Sequence, residues 1–186
     1  MGRAVSGPAR RRLIFLVGPR GSGKTTVARL LAGRLGWTAV DADLVLEERA
    51  GRAVGEVFAA EGEAGFRRRE AGVLAELAGC TEHVVATGGG AVLQPDNRAL
   101  LRRGWVVWLT ADPDTLWARV QADGTTARRR PSLTGLGGRE EVAAVALARE
   151  PLYRSAADLV VDTAGRSPED VAAAVLAAWE ALPTAP

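Results

Sequence analysis

A chain of 186 residues with a formal net charge of +2 is long enough for one real core, and its charge is too small and too evenly spread to select polyanions. Hydrophobic residues make up 47% and charged residues 25%, the balance of an ordinary globular domain, and no basic stripe is interleaved with aromatics, so neither nucleic acid nor a membrane is the expected partner. A single cysteine, Cys80, excludes an internal disulfide and a cysteine-ligated zinc cluster, which points to a cytoplasmic protein.

Along the chain, residues 1–11 read as a disordered basic leader. "LIFLV" 13–17 is the first predicted strand, too short to span a membrane. Further strands are predicted at 38–40, 83–86, 105–109 and 159–161. All are near-continuous apolar runs, as in a parallel sheet covered on both faces. Helices are predicted at 24–35, stopped by Gly36, at 44–50, and over 54–79 with glycines 55, 62, 65 and 72 interrupting. Others follow at 113–122, at 139–155 with a kink at Pro151, and at 168–181 behind the N-cap Ser167. Alternating strand and helix predicts an α/β doubly wound domain over 12–182, with 183–186 as a tail. Two stretches exceed a simple crossover. One is an insertion at about 44–80; the other includes 123–138, a lid candidate without apolar periodicity. His83, the only histidine, has no visible catalytic partners and reads as structural.

"GPRGSGKT" 18–25 fits G-x-x-x-x-G-K-[ST] between a strand and a helix. Its glycines let backbone N–H groups curl around a phosphate at a helix N-terminus. Lys24 can follow a γ-phosphate as a flexible point charge, and the Thr25 hydroxyl can coordinate Mg²⁺. Of 24 lysines and arginines, Lys24 is the only lysine, so it stands where arginine cannot serve. That scarcity also excludes a guanine-reading Asn/Thr-Lys-x-Asp motif. The strand at 83–86 ends in Thr87 and glycines, not the acid of an ATPase motor. A small kinase remains.

"VDADL" 40–44 carries two aspartates two apart. If the extended backbone persists, they share one face, one near the magnesium shell and the other at an acceptor hydroxyl. The plainer alternative is a helix N-cap followed by an exposed acid. In "FRRRE" 66–70, Arg67 and Glu70 at i,i+3 can pair and aim a guanidinium suited to a carboxylate. "AREPLY" 148–153 puts Arg149 and Tyr153 on one helix face, and "RRRP" 128–131 places arginines in the lid candidate.

These motifs, in order, resemble the shikimate kinase family: P-loop, D-x-D (Asp41, Asp43), F-R-x-x-E (Phe66, Arg67, Glu70), T-G-G-G (Thr87 to Gly90), R-P-x-L (Arg130, Pro131, Leu133) and R-x-x-x-Y (Arg149, Tyr153). The resemblance implies ATP-dependent phosphorylation of the shikimate 3-hydroxyl. It also implies a three-layer P-loop kinase fold with a five-stranded parallel sheet in order 2-3-1-4-5, acting as a monomer. Gly21, Ser22, Gly23, Lys24, Thr25 and Thr26 would hold ATP, together with Arg130 and Arg166. Lys24, Asp43 and Arg130 would be catalytic. Asp43, Arg67, Gly88, Gly89, Gly90 and Arg149 would bind shikimate, and Thr25 and, through water, Asp41 would serve Mg²⁺. Adenine would stack between a lid-base arginine, with Arg119 as candidate, and the "GRSP" segment 165–168. The lid reads R-P-S-L where the family commonly has R-P-L-L, with Arg128 and Arg129 beside Arg130, and Arg20 inside the P-loop is unassigned. The alternatives are a related kinase, such as one acting on gluconate, and a non-catalytic nucleotide-binding regulator.

Overall fold

Five short apolar segments assemble into one parallel sheet because each is flanked by a helix that carries the chain back across a face. The computed structural model describes residues 11–123 and 137–184. In chain order they form β1 Leu13–Val17, α1 Lys24–Leu35, β2 Thr38–Asp41, α2 Ala42–Ala50, α3 Val54–Leu77, β3 His83–Ala86, α4 Pro95–Leu101, β4 Trp105–Thr110, α5 Pro113–Ala122, α6 Gly138–Ala156, β5 Leu159–Asp162 and α7 Pro168–Glu180. The strand order is β2-β3-β1-β4-β5, all parallel, as the resemblance implied. β1 lies at the centre, with Phe15 in register with Val85 on one side and Val106 on the other.

Alternation along β1 divides the interior in two. Leu13, Phe15 and Val17 pack with Val85, Trp108 and the inner side of α3, including Phe66 and Leu74. Ile14 and Leu16 face the opposite layer, where Leu31 of α1 and Val175 and Trp179 of α7 close the core. All five β1 residues are buried. Their main-chain groups therefore depend on the ladders to β3 and β4, and the loop leaving β1 is anchored at the middle of the molecule.

Several boundaries differ from the sequence expectation. Arg11, assigned to the leader, is held in place. Its guanidinium donates to the carbonyls of Arg102 and Gly104, and its own carbonyl accepts from Trp179 Nε1 at 3.0 Å. α3 is two helices meeting at Gly62, whose φ of 66° and ψ of −179° are not helical and suit a residue without a Cβ. α4 was not expected, although Pro95 occupies its first turn, where a missing N–H costs nothing. α6 continues across Pro151 to Ala156. No described helix is long and apolar enough to cross a membrane.

Candidate active site

The loops at the carboxyl ends of β1, β2 and β3 converge, as expected for ligand sites in open parallel sheets. From β1, the chain turns through 18–23 into α1. Gly23 is the N-cap in a left-handed conformation, φ 87° and ψ 12°, which turns the following N–H groups toward the loop's concavity. Lys24 Nζ lies across that loop, donating to the carbonyls of Gly18 at 2.9 Å and Pro19 at 2.8 Å. Ser22 is buried with its Oγ 3.4 Å from the same amine. A cation resting on carbonyls can pass to phosphate oxygens with little backbone movement, because the negative partner simply changes.

β2 delivers Asp41, and here the sequence expectation needs correction. The extended backbone does not persist to Asp43. Asp41 is the N-cap of α2, its Oδ1 accepting from the N–H groups of Asp43 at 3.0 Å and Leu44 at 3.4 Å. Asp43 therefore sits in the first helical turn and points elsewhere than it would on a strand. Asp41 Oδ2 accepts from Thr25 Oγ1 at 2.6 Å, joining the second strand to the phosphate loop. Asp41 is thus both a cap and a neighbour of the Thr25 hydroxyl.

β3 leads into the glycine turn. Thr87 is buried, and both its N–H and its hydroxyl donate to the Leu16 carbonyl at 3.1 Å, fixing the turn's start against β1. The turn is crowded by polar side chains. A Cβ at Gly88 would lie 2.8 Å from Asp43 Oδ1 and from Glu70 Oε1, and one at Gly90 would lie 2.2 Å from Arg67 Nη1. The glycines leave space into which α3 inserts its charges. Arg67 and Glu70, 8% and 6% exposed, pair through Nη1 and Oε2 at 2.7 Å, and Glu63 adds a contact at 3.3 Å. Burial raises the Glu70 carboxyl above its ordinary value, against the opposing pull of Arg67. Its second oxygen, Oε1, accepts no hydrogen bond among the described residues. From α6, Arg149 Nη1 and Tyr153 Oη both donate to the Gly89 carbonyl, at 3.1 and 2.6 Å. Tyr153 is buried and stacked on Trp108.

Two adjoining cavities result. The larger is bordered by the phosphate loop through Thr26, by Asp41, and by Arg119, Thr163, Arg166 and Pro168. The smaller is bordered by Arg67, Glu70, Arg149 and the three turn glycines, with an apolar wall from Phe58, Phe66 and Val145. Arg119 donates to Thr163 Oγ1 at 2.8 Å and to the Thr163 carbonyl at 2.7 Å, tying α5 to the segment after β5. Thr163 had not been singled out from the sequence, nor had the apolar wall. Arg166 donates to the Asp162 and Asp170 carbonyls at the mouth of the larger cavity. Arg128, Arg129, Arg130, Pro131 and Leu133 lie outside the described residues. No cluster of three or more His, Cys, Asp or Glu able to hold a metal occurs among the described residues.

Comparisons with known proteins converge on this geometry. The shikimate kinase family model matches residues 20–180. The chain is similar to shikimate kinases from Symbiobacterium thermophilum, 51% identical over 88% of this chain and 93% of that one, and from Rhodopirellula baltica, 48% identical over 89% of each. Among solved structures, a shikimate kinase from Acinetobacter baumannii in complex with shikimate superposes with a TM-score of 0.83 at 38% identity. That likeness covers 89% of this chain and 91% of the other. A gluconokinase from Sinorhizobium meliloti, at a TM-score of 0.58 and 16% identity, shares the fold alone. With a family model over most of its length and relatives near half identity, this chain belongs to the shikimate kinase family.

Proposed function

We infer that the chain transfers the γ-phosphoryl group of ATP to the 3-hydroxyl of shikimate, a step in aromatic amino acid biosynthesis. The observation that carries this is the adjoining pair of cavities. One is built on the phosphate loop, and the other sets Arg67 and Arg149 around a glycine turn. A planar carboxylate suits guanidinium groups held in place beforehand, and the Arg67–Glu70 pair preorganises one of them. The turn's backbone and the apolar wall then meet the acceptor ring.

In this reading the nucleotide phosphates lie in the loop 18–25, with Gly21 to Thr26 around them. Lys24 passes from its own loop carbonyls to the transferring group. Asp43, which borders both cavities, receives the acceptor hydroxyl. The hydroxyl oxygen forms the new O–P bond, and the bond from the γ-phosphorus to the bridging oxygen breaks with its electron pair kept by ADP. The proton passes to Asp43. Such transfer needs positioning and charge neutralisation rather than covalent help. Magnesium suits the donors present: the Thr25 hydroxyl and the Asp41 carboxylate are hard oxygens 2.6 Å apart beside the phosphate loop. When bound there, it neutralises phosphate charge. Arg119, Arg166 and Pro168 form the far end of the nucleotide cavity, where adenine would lie. The lid role belongs to Arg130, and one domain over 12–182 acts as a monomer in the cytoplasm.

ADP release with magnesium and ATP, measured with shikimate, gluconate, AMP or no acceptor, tests the reading. Release that depends on shikimate alone is expected. Release with gluconate instead would remove the carboxylate-clamp roles of Arg67 and Arg149. ATP binding without acceptor-dependent release would indicate a regulator.

A further inference from the structure

Phosphoryl transfer requires the phosphorus to move from one cavity toward the other, so the residues bordering both have a special position. Among the described residues these are Arg20, Asp43 and Val54. Lys24 borders only the nucleotide cavity, and Arg67 and Arg149 border only the acceptor cavity. Asp43 already has a role, and Val54 is a buried apolar residue. Among the described residues Arg20 is the one cation at the junction, contributed by the phosphate loop itself.

We propose that Arg20 is a further catalytic residue of the reaction inferred above, its guanidinium contacting the phosphoryl group in transit and holding it once it is on the acceptor. The charge arrangement around the junction supports this. The acceptor cavity is bordered by three acids, Asp43, Glu70 and Glu141, toward which a doubly charged phosphoryl group must move. A cation there offsets that repulsion, and a planar guanidinium can follow phosphate oxygens over the short path between cavities. Arg20 also has acidic neighbours. Glu141 in the first turn of α6 and Asp123 at the end of α5 face its charge, opposing the effect of its partial burial. Glu141 borders the acceptor cavity and Asp123 the nucleotide cavity, so the Arg20 charge is balanced from both sides of the junction.

The proposal depends on the shikimate reading, and the test separates the two. Arg20→Gln and Arg20→Lys are compared with the wild-type chain in steady-state turnover and in calorimetric binding of shikimate and of shikimate 3-phosphate, with melting temperatures confirming folding. For Arg20→Gln, turnover falls about a hundredfold. Its affinity for shikimate 3-phosphate falls about tenfold, while that for shikimate stays within about twofold. Arg20→Lys recovers part of both losses, because it keeps the charge without the fork. Equal weakening of shikimate and its phosphate would make Arg20 a ground-state or structural residue and overturn the proposal, as would unchanged turnover. A wild-type chain inactive with shikimate would instead overturn the reading on which it rests.

Discussion

Replacing Gly90 by alanine tests whether the glycine turn is needed for space. None of Gly88, Gly89 and Gly90 has a positive φ, so alanine can adopt the backbone at each, and only the surroundings of the new methyl differ. At Gly89 the nearest atoms to an added Cβ are 3.6–3.7 Å away, ordinary contact. At Gly90 they are Arg67 Nη1 at 2.2 Å, Cζ at 2.7 Å and Nη2 at 2.8 Å, so the guanidinium must withdraw by roughly 1 Å. It cannot do so freely, because the Arg67 and Glu70 side chains are 9% and 7% exposed and joined at 2.7 Å. Losing a charge-assisted hydrogen bond in such a place costs about 1.5–3 kcal/mol, while a change that meets only ordinary contacts stays within about 0.5 kcal/mol. At about 2–4 °C per kcal/mol for a chain of this size, Gly90→Ala should melt roughly 3–12 °C below Gly89→Ala. Thermal unfolding of both variants by circular dichroism measures this, and acceptor saturation kinetics should show a raised KM for shikimate in Gly90→Ala. Equal melting temperatures together with an unaltered KM would refute the claim that the turn makes room for Arg67.

Tyr153→Phe removes a buried donor to the Gly89 carbonyl and should cost about 1–2 kcal/mol of stability. It should also raise the KM for shikimate while that for ATP holds, and a matched rise in both would indicate general loosening instead. Thr25→Val deletes the hydroxyl bonded to Asp41 and should increase the magnesium concentration needed for half-maximal rate; an unshifted magnesium titration would remove Thr25 from the metal's surroundings. Burial raises the Glu70 pKa above 4.5, so between 4.5 and the raised value the folded chain binds more protons than the unfolded one. Stability owed to this group therefore grows as pH falls through that window, and Glu70→Gln cannot gain it. The melting temperature of wild type relative to the variant should rise as pH is lowered from neutral toward 4.5, and a pH-independent difference would contradict the assignment.

Local signals carried most of the fold. Apolar runs of three to five residues marked every strand, and Gly18 to Thr25 marked the phosphate loop, because both patterns are complete within a few residues. Short elements were harder. α4 has seven residues and one clear signal, Pro95 at its start. The two aspartates at 41 and 43 illustrate competition between nearby preferences. Continuing the strand would have put both on one face, but the Asp41 carboxylate captures two N–H groups and begins a helix. Long-range partners were not legible. The i,i+4 spacing placed Tyr153 beside Arg149, yet nothing local reveals that both reach a carbonyl 60 and 64 residues away. The same holds for Arg119 and Thr163, 44 residues apart, and for the apolar wall of the smaller cavity.

The Lys24 amine, held against the carbonyls of Gly18 and Pro19, belongs to the one lysine in the sequence. An acylating reagent selective for ε-amines consequently has a single side-chain target, located on the phosphate loop. Competition between such a reagent and ATP would convert nucleotide occupancy into a mass increment at one position. Intact-protein mass spectrometry could then count occupied molecules directly, with neither a fluorescent reporter nor an engineered tag.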